Sequence, residues 1–209
     1  MKTVIYLIRH AEPIKDFDKL FVDSMDKQMC NEKTILSVKG EEQARKLSNI
    51  DELKNIDLVI SSSYVRAIST AKYIVDKNNC PFYINNIFNE RKIGGGVIES
   101  NFWLKQMKDK NFKLESGESQ SEVRDRMLDG VKNIIKNHEG KRIIIVSHAA
   151  AITFLLMNWC NLENVNLDNK IRKLVFNNKL VIDDTFKTPD IFKLTFVHNQ
   201  IYNIERIVI

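Results

Sequence analysis

Each of four short apolar runs in this sequence is followed by residues that could take part in chemistry. These are Arg9 and His10 after VIYLI (4–8), Ser61, Ser62 and Arg66 after IDLVI (56–60), Glu90 after FYINNIF (82–88), and His148 after RIIIVS (142–147). Guanidinium groups bind phosphate oxygens with paired hydrogen bonds, and an imidazole can attack phosphorus to form a covalent intermediate. A carboxyl group can protonate a leaving alkoxide and then activate water. The set therefore favours phosphoryl transfer, if the fold brings its members together.

The spacing of apolar residues predicts the elements that would position this set. Between the apolar runs lie segments with helical patterns, at 36–50, 64–77, 119–138 and 150–160. Strands that alternate with helices of this length are typical of βαβ units, so we expect an α/β fold with a mostly parallel sheet. In such sheets ligands bind at the carboxyl ends of the strands, which is where the residues named above are expected.

The C-terminal part of the chain changes character. The segments DIFKLTFV (190–197) and IYNIERIVI (201–209) are separated by a short break, and they predict a hairpin or late strands on one side of the sheet. The sequence has no internal repeats and too few prolines for a linker. We therefore expect a single domain over residues 1–209.

One segment fits neither pattern. Residues 99–118 mix aromatics, lysines and glycine, so we expect a loop or cap insertion at about 91–118 over one end of the sheet. Within it, Phe102 and Trp103 are either loop anchors or walls of a substrate pocket. Arg91 is expected to be a solvated charge.

Two short motifs predict local structure. Ser119, with Glu122 three residues later, predicts a capping box at the start of a helix. The run Gly94–Gly96 lacks the Lys-Ser/Thr pair and the following helix of a phosphate-binding P-loop, so we expect a flexible turn.

Composition and charge limit the possible functions. The chain has 209 residues and lacks both a long apolar stretch and a secretory signal pattern, so we expect a cytoplasmic protein that does not bind membranes. Its three cysteines are scattered, which argues against a disulfide scaffold or a zinc site. The net charge of +5 comes from lysines spread along the chain among acids, so we expect no nucleic-acid partner. Attraction of a small phosphorylated metabolite is the better use of that charge.

Six segments, in order, resemble motifs of the histidine phosphatase superfamily, in its phosphoglycerate-mutase-like branch. They are LIRHAEP (7–13), LSVKGEEQARKL (36–47), SSSYVRAISTA (61–71), FNERKIG (88–94), GES (117–119) and VSHA (146–149). The resemblance covers about residues 1–155. It implies a three-layer α/β/α sandwich around the mostly parallel sheet. It also implies catalysis with neither a cofactor nor a metal.

The resemblance also implies a role for each matched residue. His10 would be the phosphorylated nucleophile, and Glu90 the proton donor and acceptor, with Glu12 and Glu99 as less favoured acids nearby. The residues expected to bind the phosphoryl group or the rest of the substrate are Arg9, Arg66, His148, Ser61 and Ala149. Of these, Arg9, Arg66 and His148 would form the phosphate pocket and act in catalysis.

The chain departs from the family pattern at a few positions. Ala11 and Ala149 stand where glycines are usual, and a methyl group there could crowd backbone amides that approach phosphate. The asparagine that often follows the first motif is absent from IKDFDKL (14–20), and Asn31 is one candidate for that contact.

Three functions fit these observations. We expect a phosphatase that hydrolyses a small phosphomonoester through phospho-His10. Only about 25 residues separate Glu90 from the GES motif, so the closure over the site that a mutase needs looks abbreviated. A phosphoglycerate mutase is the alternative among enzymes, and a catalytically silent protein that binds a phosphate ligand is the alternative outside them. The sequence leaves the identity of the phosphomonoester and the oligomeric state open.

Overall fold

The structure is a computed structural model that describes residues 1–20, 26–166 and 171–208. Its strands are β1 (Lys2–Arg9), β2 (Leu58–Ser61), β3 (Phe82–Ile84), β4 (Arg142–Ser147), β5 (Asn161–Asn166), β6 (Ile171–Phe176), β7 (Lys179–Ile182), β8 (Asp190–Val197) and β9 (Gln200–Ile207). Its α-helices are α1 (Lys27–Lys33), α2 (Val38–Leu47), α3 (Val65–Asn78), α4 (Phe102–Lys108), α5 (Gln120–Asn137) and α6 (Ala149–Leu156). Helix α4 lies inside the segment expected to be an insertion.

The main sheet has six strands in the order β3-β2-β4-β1-β8-β9. The pairs β2–β3, β2–β4 and β1–β4 are parallel, whereas β1–β8 and β8–β9 are antiparallel. The prediction of a mostly parallel sheet is therefore confirmed. So is the prediction that the last two strands form a hairpin on one side of it, although Ile209 lies outside the described residues.

Helices cover both faces of this sheet. In β1, Val4, Tyr6 and Ile8 pack in one core cluster with residues of α2 and α3. Ile5 and Leu7 point the other way and pack with residues of α5 and α6. This alternation follows from the two-residue period of a strand, and it confirms the three-layer α/β/α sandwich.

A second, three-stranded antiparallel sheet in the order β5-β6-β7 was not predicted. Strands β6 and β7 are joined by Asn177 and Asn178, which both have positive φ (48° and 62°). Two such residues in a two-residue connection form the tight turn that matches the twist of a hairpin. The Asn-Asn pair was the signal in the sequence for this hairpin.

Several predicted elements are shorter than expected, among them the helix predicted over 36–50, which is observed over Val38–Leu47. The run FYINNIF forms a strand only over Phe82–Ile84 and then a 3-10 turn over Asn86–Phe88. The side chain of Asn85 accepts a hydrogen bond from the Ile87 amide, which ends the strand and starts the turn. The last predicted helix ends at Leu156 rather than at residue 160.

Helix α2 supports the loop that follows β1. A Cβ atom on Gly40 would lie 2.0 Å from the carbonyl oxygen of Glu12, so only glycine allows this close approach. The side chain of Gln43 accepts a hydrogen bond from the Glu12 amide at 2.9 Å. The Gly-x-x-Gln spacing therefore holds the backbone two residues after His10.

The start of α5 has the predicted cap. The side chain of Ser119 accepts from the Glu122 amide, and the Glu122 carboxylate accepts from the Ser119 amide, which confirms the capping box. Among the described residues, no helix combines the length and the apolar character that crossing a bilayer requires.

Candidate active site

The ends of β1 and β4 bring the two histidines together. The amide of His10 donates to the carbonyl of Ser147 at 3.0 Å, next to His148 in the chain. The two imidazole rings lie with their centroids 5.1 Å apart, and both side chains are buried. The expected meeting of these residues at the carboxyl ends of the strands is present in the structure.

The hydrogen bonds of His10 define its tautomer. Its Nδ1 lies 2.7 Å from the carbonyl oxygen of Ala11, which can only accept, so Nδ1 carries the proton. The lone pair is therefore on Nε2, which faces the guanidinium of Arg66. Burial, and then the charges of Arg66 and Arg9, lower the pKa of His10 well below its ordinary value of 6.5. The imidazole is consequently neutral and available as a nucleophile at neutral pH.

Arg66 connects both histidines to α1. Its Nε donates to His10 Nε2 at 3.0 Å, and its Nη2 donates to His148 Nδ1 at 3.2 Å. Its Nη1 donates to the backbone oxygen of Asn31, and its Nη2 donates to Asn31 Oδ1 at 3.0 Å. Asn31 thus holds the guanidinium against the two histidines.

Glu90 lies at the N-terminus of α6. Its carboxylate accepts from the amides of Ala151 at 3.0 Å and Ala150 at 3.3 Å, where the helix dipole favours a negative charge. The other two acids considered are engaged elsewhere. Glu12 contacts Ser37 and Lys39, and Glu99 pairs with Lys105 at 2.7 Å.

Four buried or half-buried guanidiniums interact electrostatically with this carboxylate. Burial lowers the pKa of Arg9, Arg66, Arg91 and Arg172, and the charge of Glu90 opposes that lowering in each. For Arg172 the pKa falls to about 10. Arg9 Nε is buried and has no hydrogen-bond partner among the described residues. The site therefore carries an excess of positive charge that favours an anionic ligand.

Arg172 was not found by sequence reasoning. It comes from β6 of the small sheet, and its guanidinium lies over the rings of Trp103 and Phe186 and donates to the hydroxyl of Thr153. The backbone oxygen of the same Phe186 accepts from Arg9 at 2.7 Å. Phe186 therefore contacts both arginines.

The structure gives Ser62, rather than Ser61, the contact with His148. Ser62 Oγ lies 2.7 Å from His148 Nε2, whereas the hydroxyl of Ser61 donates to the carbonyl of Ser62 at 2.8 Å. Ala149 is the first residue of α6, directly after His148.

The alanine after His10 is accommodated without crowding. Its amide donates to the hydroxyl of Thr70 at 3.0 Å. Its methyl group packs in a small cluster with Leu36 and Ala44. The expected conflict between the Ala11 methyl group and the approach of a phosphate therefore does not arise from this packing.

The expectation that Arg91 is a solvated charge is wrong. Its guanidinium donates to the side chain of Gln106 and lies 5.1 Å from the centroid of the Phe102 ring. Phe102 is itself buried and contacts Phe112, so it acts as a loop anchor. Arg91 was misjudged because its partners belong to α4, which the sequence pattern did not predict.

A cavity of about 620 Å³ meets the site at Asn31. One wall is the start of α1, including Asn31, and another is the loop that contains Gly94–Gly96. Gly94 and Gly96 have φ of +90° and +97°, consistent with the predicted turn. Asn31 therefore links this cavity to the guanidinium of Arg66.

The sequence of this chain is similar to those of known proteins. A model of the histidine phosphatase superfamily (branch 1) matches residues 5–184. The probable phosphoglycerate mutase GpmB of Erwinia tasmaniensis is 26% identical over 178 residues, which are 80% of this chain and 79% of that protein. The uncharacterized phosphatase PhoE of Bacillus subtilis is 29% identical over 159 residues, 74% of this chain and 76% of that one.

The fold is also similar to solved structures. A mycobacterial glucosyl-3-phosphoglycerate phosphatase complexed with VO3 superposes with a TM-score of 0.68. The match covers 98% of this chain and 97% of that one at 16% sequence identity, so the likeness concerns the fold.

Proposed function

The chain belongs to the histidine phosphatase superfamily, and from that premise we propose that it is a phosphatase that hydrolyses a small phosphomonoester through a phosphohistidine on His10. The observation that carries the proposal is the state of His10. Its proton is held on Nδ1 by the Ala11 carbonyl, and its Nε2 lone pair faces the Arg66 guanidinium. A neutral imidazole that faces a cationic pocket is what attack on a bound phosphoryl group requires.

In the first step the phosphoryl oxygens bind the guanidiniums of Arg9 and Arg66 and the imidazole of His148. His10 Nε2 attacks phosphorus, a P–N bond forms, and the bond between phosphorus and the ester oxygen breaks. Glu90 enters this step as the carboxylic acid, transfers its proton to the departing alkoxide and becomes the carboxylate. The cations stabilise the charge on the equatorial oxygens in the transition state.

In the second step water takes the place of the leaving group. The Glu90 carboxylate removes a proton from water as its oxygen attacks phosphorus. The P–N bond breaks, its electron pair returns to His10 Nε2, and phosphate leaves. Glu90 thus ends the cycle protonated and ready for the next substrate.

A phosphoglycerate mutase is the second candidate, because the matched GpmB protein carries that name. A mutase has to keep water from its phosphoenzyme. The matched PhoE protein is named as a phosphatase, which supports hydrolysis. A catalytically silent binder is disfavoured by the presence of the whole set of reactive residues.

Hydrolysis of p-nitrophenyl phosphate in EDTA tests the proposal. We expect the parent protein to be active without metal and His10→Ala to be inactive. His198→Asn is the matched control, because His198 lies in the exposed β8–β9 turn with φ of 48°. Activity retained in His10→Ala would exclude His10 as the nucleophile. Transfer to 3-phosphoglycerate without net hydrolysis would favour the mutase.

A further inference from the structure

The side-chain orientation of Asn89 follows from a backbone amide. The amide of Ser63 donates to Asn89 Oδ1 at 2.8 Å, and a backbone N–H can only donate, so the atom at this position is the oxygen. The hydroxyl of Ser62 lies 2.9 Å from the same oxygen. Because an amide oxygen can only accept, the Ser62 hydroxyl donates its one proton to Asn89 Oδ1.

The other contacts of Ser62 then have to be donors. The amide of Tyr64 donates to Ser62 Oγ at 3.1 Å, which uses one acceptor position. His148 Nε2 lies 2.7 Å from the same oxygen. Since the Ser62 proton points at Asn89, His148 Nε2 has to carry a proton and donate it. The hydroxyl is then saturated, with one bond donated and two accepted.

The hydrogen-bond partner on the other side of the His148 ring indicates the same tautomer. Arg66 Nη2 lies 3.2 Å from His148 Nδ1, and a guanidinium can only donate. Nδ1 therefore has the lone pair. It faces the same guanidinium that contacts the nucleophilic nitrogen of His10.

We propose that Asn89 is a positioning residue for His148. Through the Ser62 hydroxyl it keeps the proton of His148 on Nε2. A proton exchanged with a bound phosphoryl group therefore enters and leaves at Nδ1. The Arg66 contact to Nδ1 breaks when the guanidinium turns to phosphate. From that point the Asn89–Ser62 pair alone holds the tautomer.

A consequence concerns the protonation state of the substrate, and this step rests on the proposed phosphoryl transfer. A phosphomonoester monoanion brings one O–H into the site. That proton passes from the phosphoryl oxygen to His148 Nδ1, which leaves a dianionic phosphoryl group hydrogen-bonded to an imidazolium. His148 thereby becomes a cation only when substrate is present.

The charges around His148 favour this order of events. The charged and aromatic groups that face the His148 ring come from three neighbouring elements. They are Arg9 at the end of β1 with His10 directly after it, Tyr64 and Arg66 at the start of α3, and Arg126 of α5. Burial, and then His10 and the three arginines, lower the pKa of His148 well below 6.5, so the ring is neutral in the absence of an anion.

Nitrogen NMR of the four histidines tests the tautomer directly and does not require activity. In protein labelled with 15N-histidine, we expect His148 to show a protonated Nε2 and an unprotonated Nδ1 without ligand. With inorganic phosphate, we expect both nitrogens to be protonated. In the Arg66→Met background no guanidinium faces Nδ1. There the Ser62 hydroxyl freed by Asn89→Leu can donate to Nε2, so a second population with the proton on Nδ1 is expected.

The charge variant Asn89→Asp provides the second readout. It keeps the oxygen that accepts from Ser62 and Ser63 but adds a negative charge, so we expect the Nε2 tautomer to persist. The apparent pKa of His148 should rise by about one unit in NMR titration, and the limb of the kcat/KM pH profile that follows His148 should move with it. Asn86→Asp adds the same charge at an exposed position nearby and should shift neither.

The positioning role would be overturned if the folded double variant Arg66→Met/Asn89→Leu kept a single Nε2 tautomer and Asn89→Leu alone kept a kcat within twofold of the parent. It would also be overturned if the apparent pKa of His148 were the same in Asn89→Asp as in Asn86→Asp. A protein with the expected tautomers and no phosphatase activity would contradict the proposed function and leave the positioning role intact.

Discussion

Arg66 Nε donates to His10 Nε2 at 3.0 Å, so the guanidinium expected to bind phosphate occupies the lone pair of the proposed nucleophile. Both residues are buried, which makes this contact a strong one. An incoming phosphoryl group has to take over the guanidinium before His10 can attack. The movement of the guanidinium that frees His10 Nε2 also places the guanidinium on the phosphoryl oxygens.

We predict that Arg66→Lys lowers kcat/KM by about 100-fold, because an ammonium cannot contact His10, His148 and Asn31 in the same plane. The charge is kept, so a loss of this size would be due to geometry. Steady-state kinetics with p-nitrophenyl phosphate measure it. Arg45→Lys, on the outer end of α2, is the control and should lower activity by less than twofold.

Glu90→Gln should separate the two chemical steps. p-Nitrophenolate leaves without help from an acid, so the variant should still form phospho-His10 and show a burst of product. Hydrolysis of the intermediate should then be about 100-fold slower, since no base activates water. Alkyl phosphates should be hydrolysed poorly in both steps. Glu99→Gln is the control, and a burst followed by normal turnover in Glu90→Gln would count against Glu90 as the base.

Gly40→Ala should destabilise the loop after His10. The new methyl group would lie 2.0 Å from the carbonyl oxygen of Glu12, and relieving that overlap should cost about 3 kcal/mol of unfolding free energy. Gly95→Ala is a matched control, because a Cβ atom there meets nothing within 4 Å. Urea unfolding of the two variants should differ clearly, and equal stabilities would contradict the described packing.

Stability should fall as the solution becomes acidic. The folded state lowers the pKa of His10 and His148, so below pH 6.5 the unfolded chain binds more protons than the folded one. The stability that depends on each neutral histidine is fully present above pH 6.5 and is lost as the pH falls. Below pH 6.5 each histidine lowers the free energy of unfolding by up to about 1.4 kcal/mol per pH unit. Urea unfolding between pH 7 and pH 5 measures the slope. His148→Gln should reduce it, and an unchanged slope would contradict the burial of a neutral His148.

The sequence predicted the main sheet and the approach of its strand ends, because both follow from local patterns. Buried parallel strands give continuous apolar runs, and topology brings their carboxyl ends to one edge. His10, His148 and Arg66 could therefore be expected in one place before any distance was known.

The supporting contacts could not be predicted in the same way. Asn31 was only one candidate for a contact that the family resemblance suggested, and Asn89 looks like an ordinary loop residue. Their roles depend on which side chains pack against them in three dimensions. Arg172 comes from a short antiparallel sheet whose strands have weak apolar alternation, so nothing linked it to Glu90 along the chain.

The most direct test of the account is to trap the intermediate. Protein mixed with p-nitrophenyl phosphate, quenched in alkali and digested, should carry one acid-labile phosphoryl group on the peptide that contains His10. The group should be enriched in Glu90→Gln, unchanged in His198→Asn and absent in His10→Ala. Turnover without a phosphoenzyme, or a phosphoryl group on any other residue, would contradict the claim that His10 is the nucleophile.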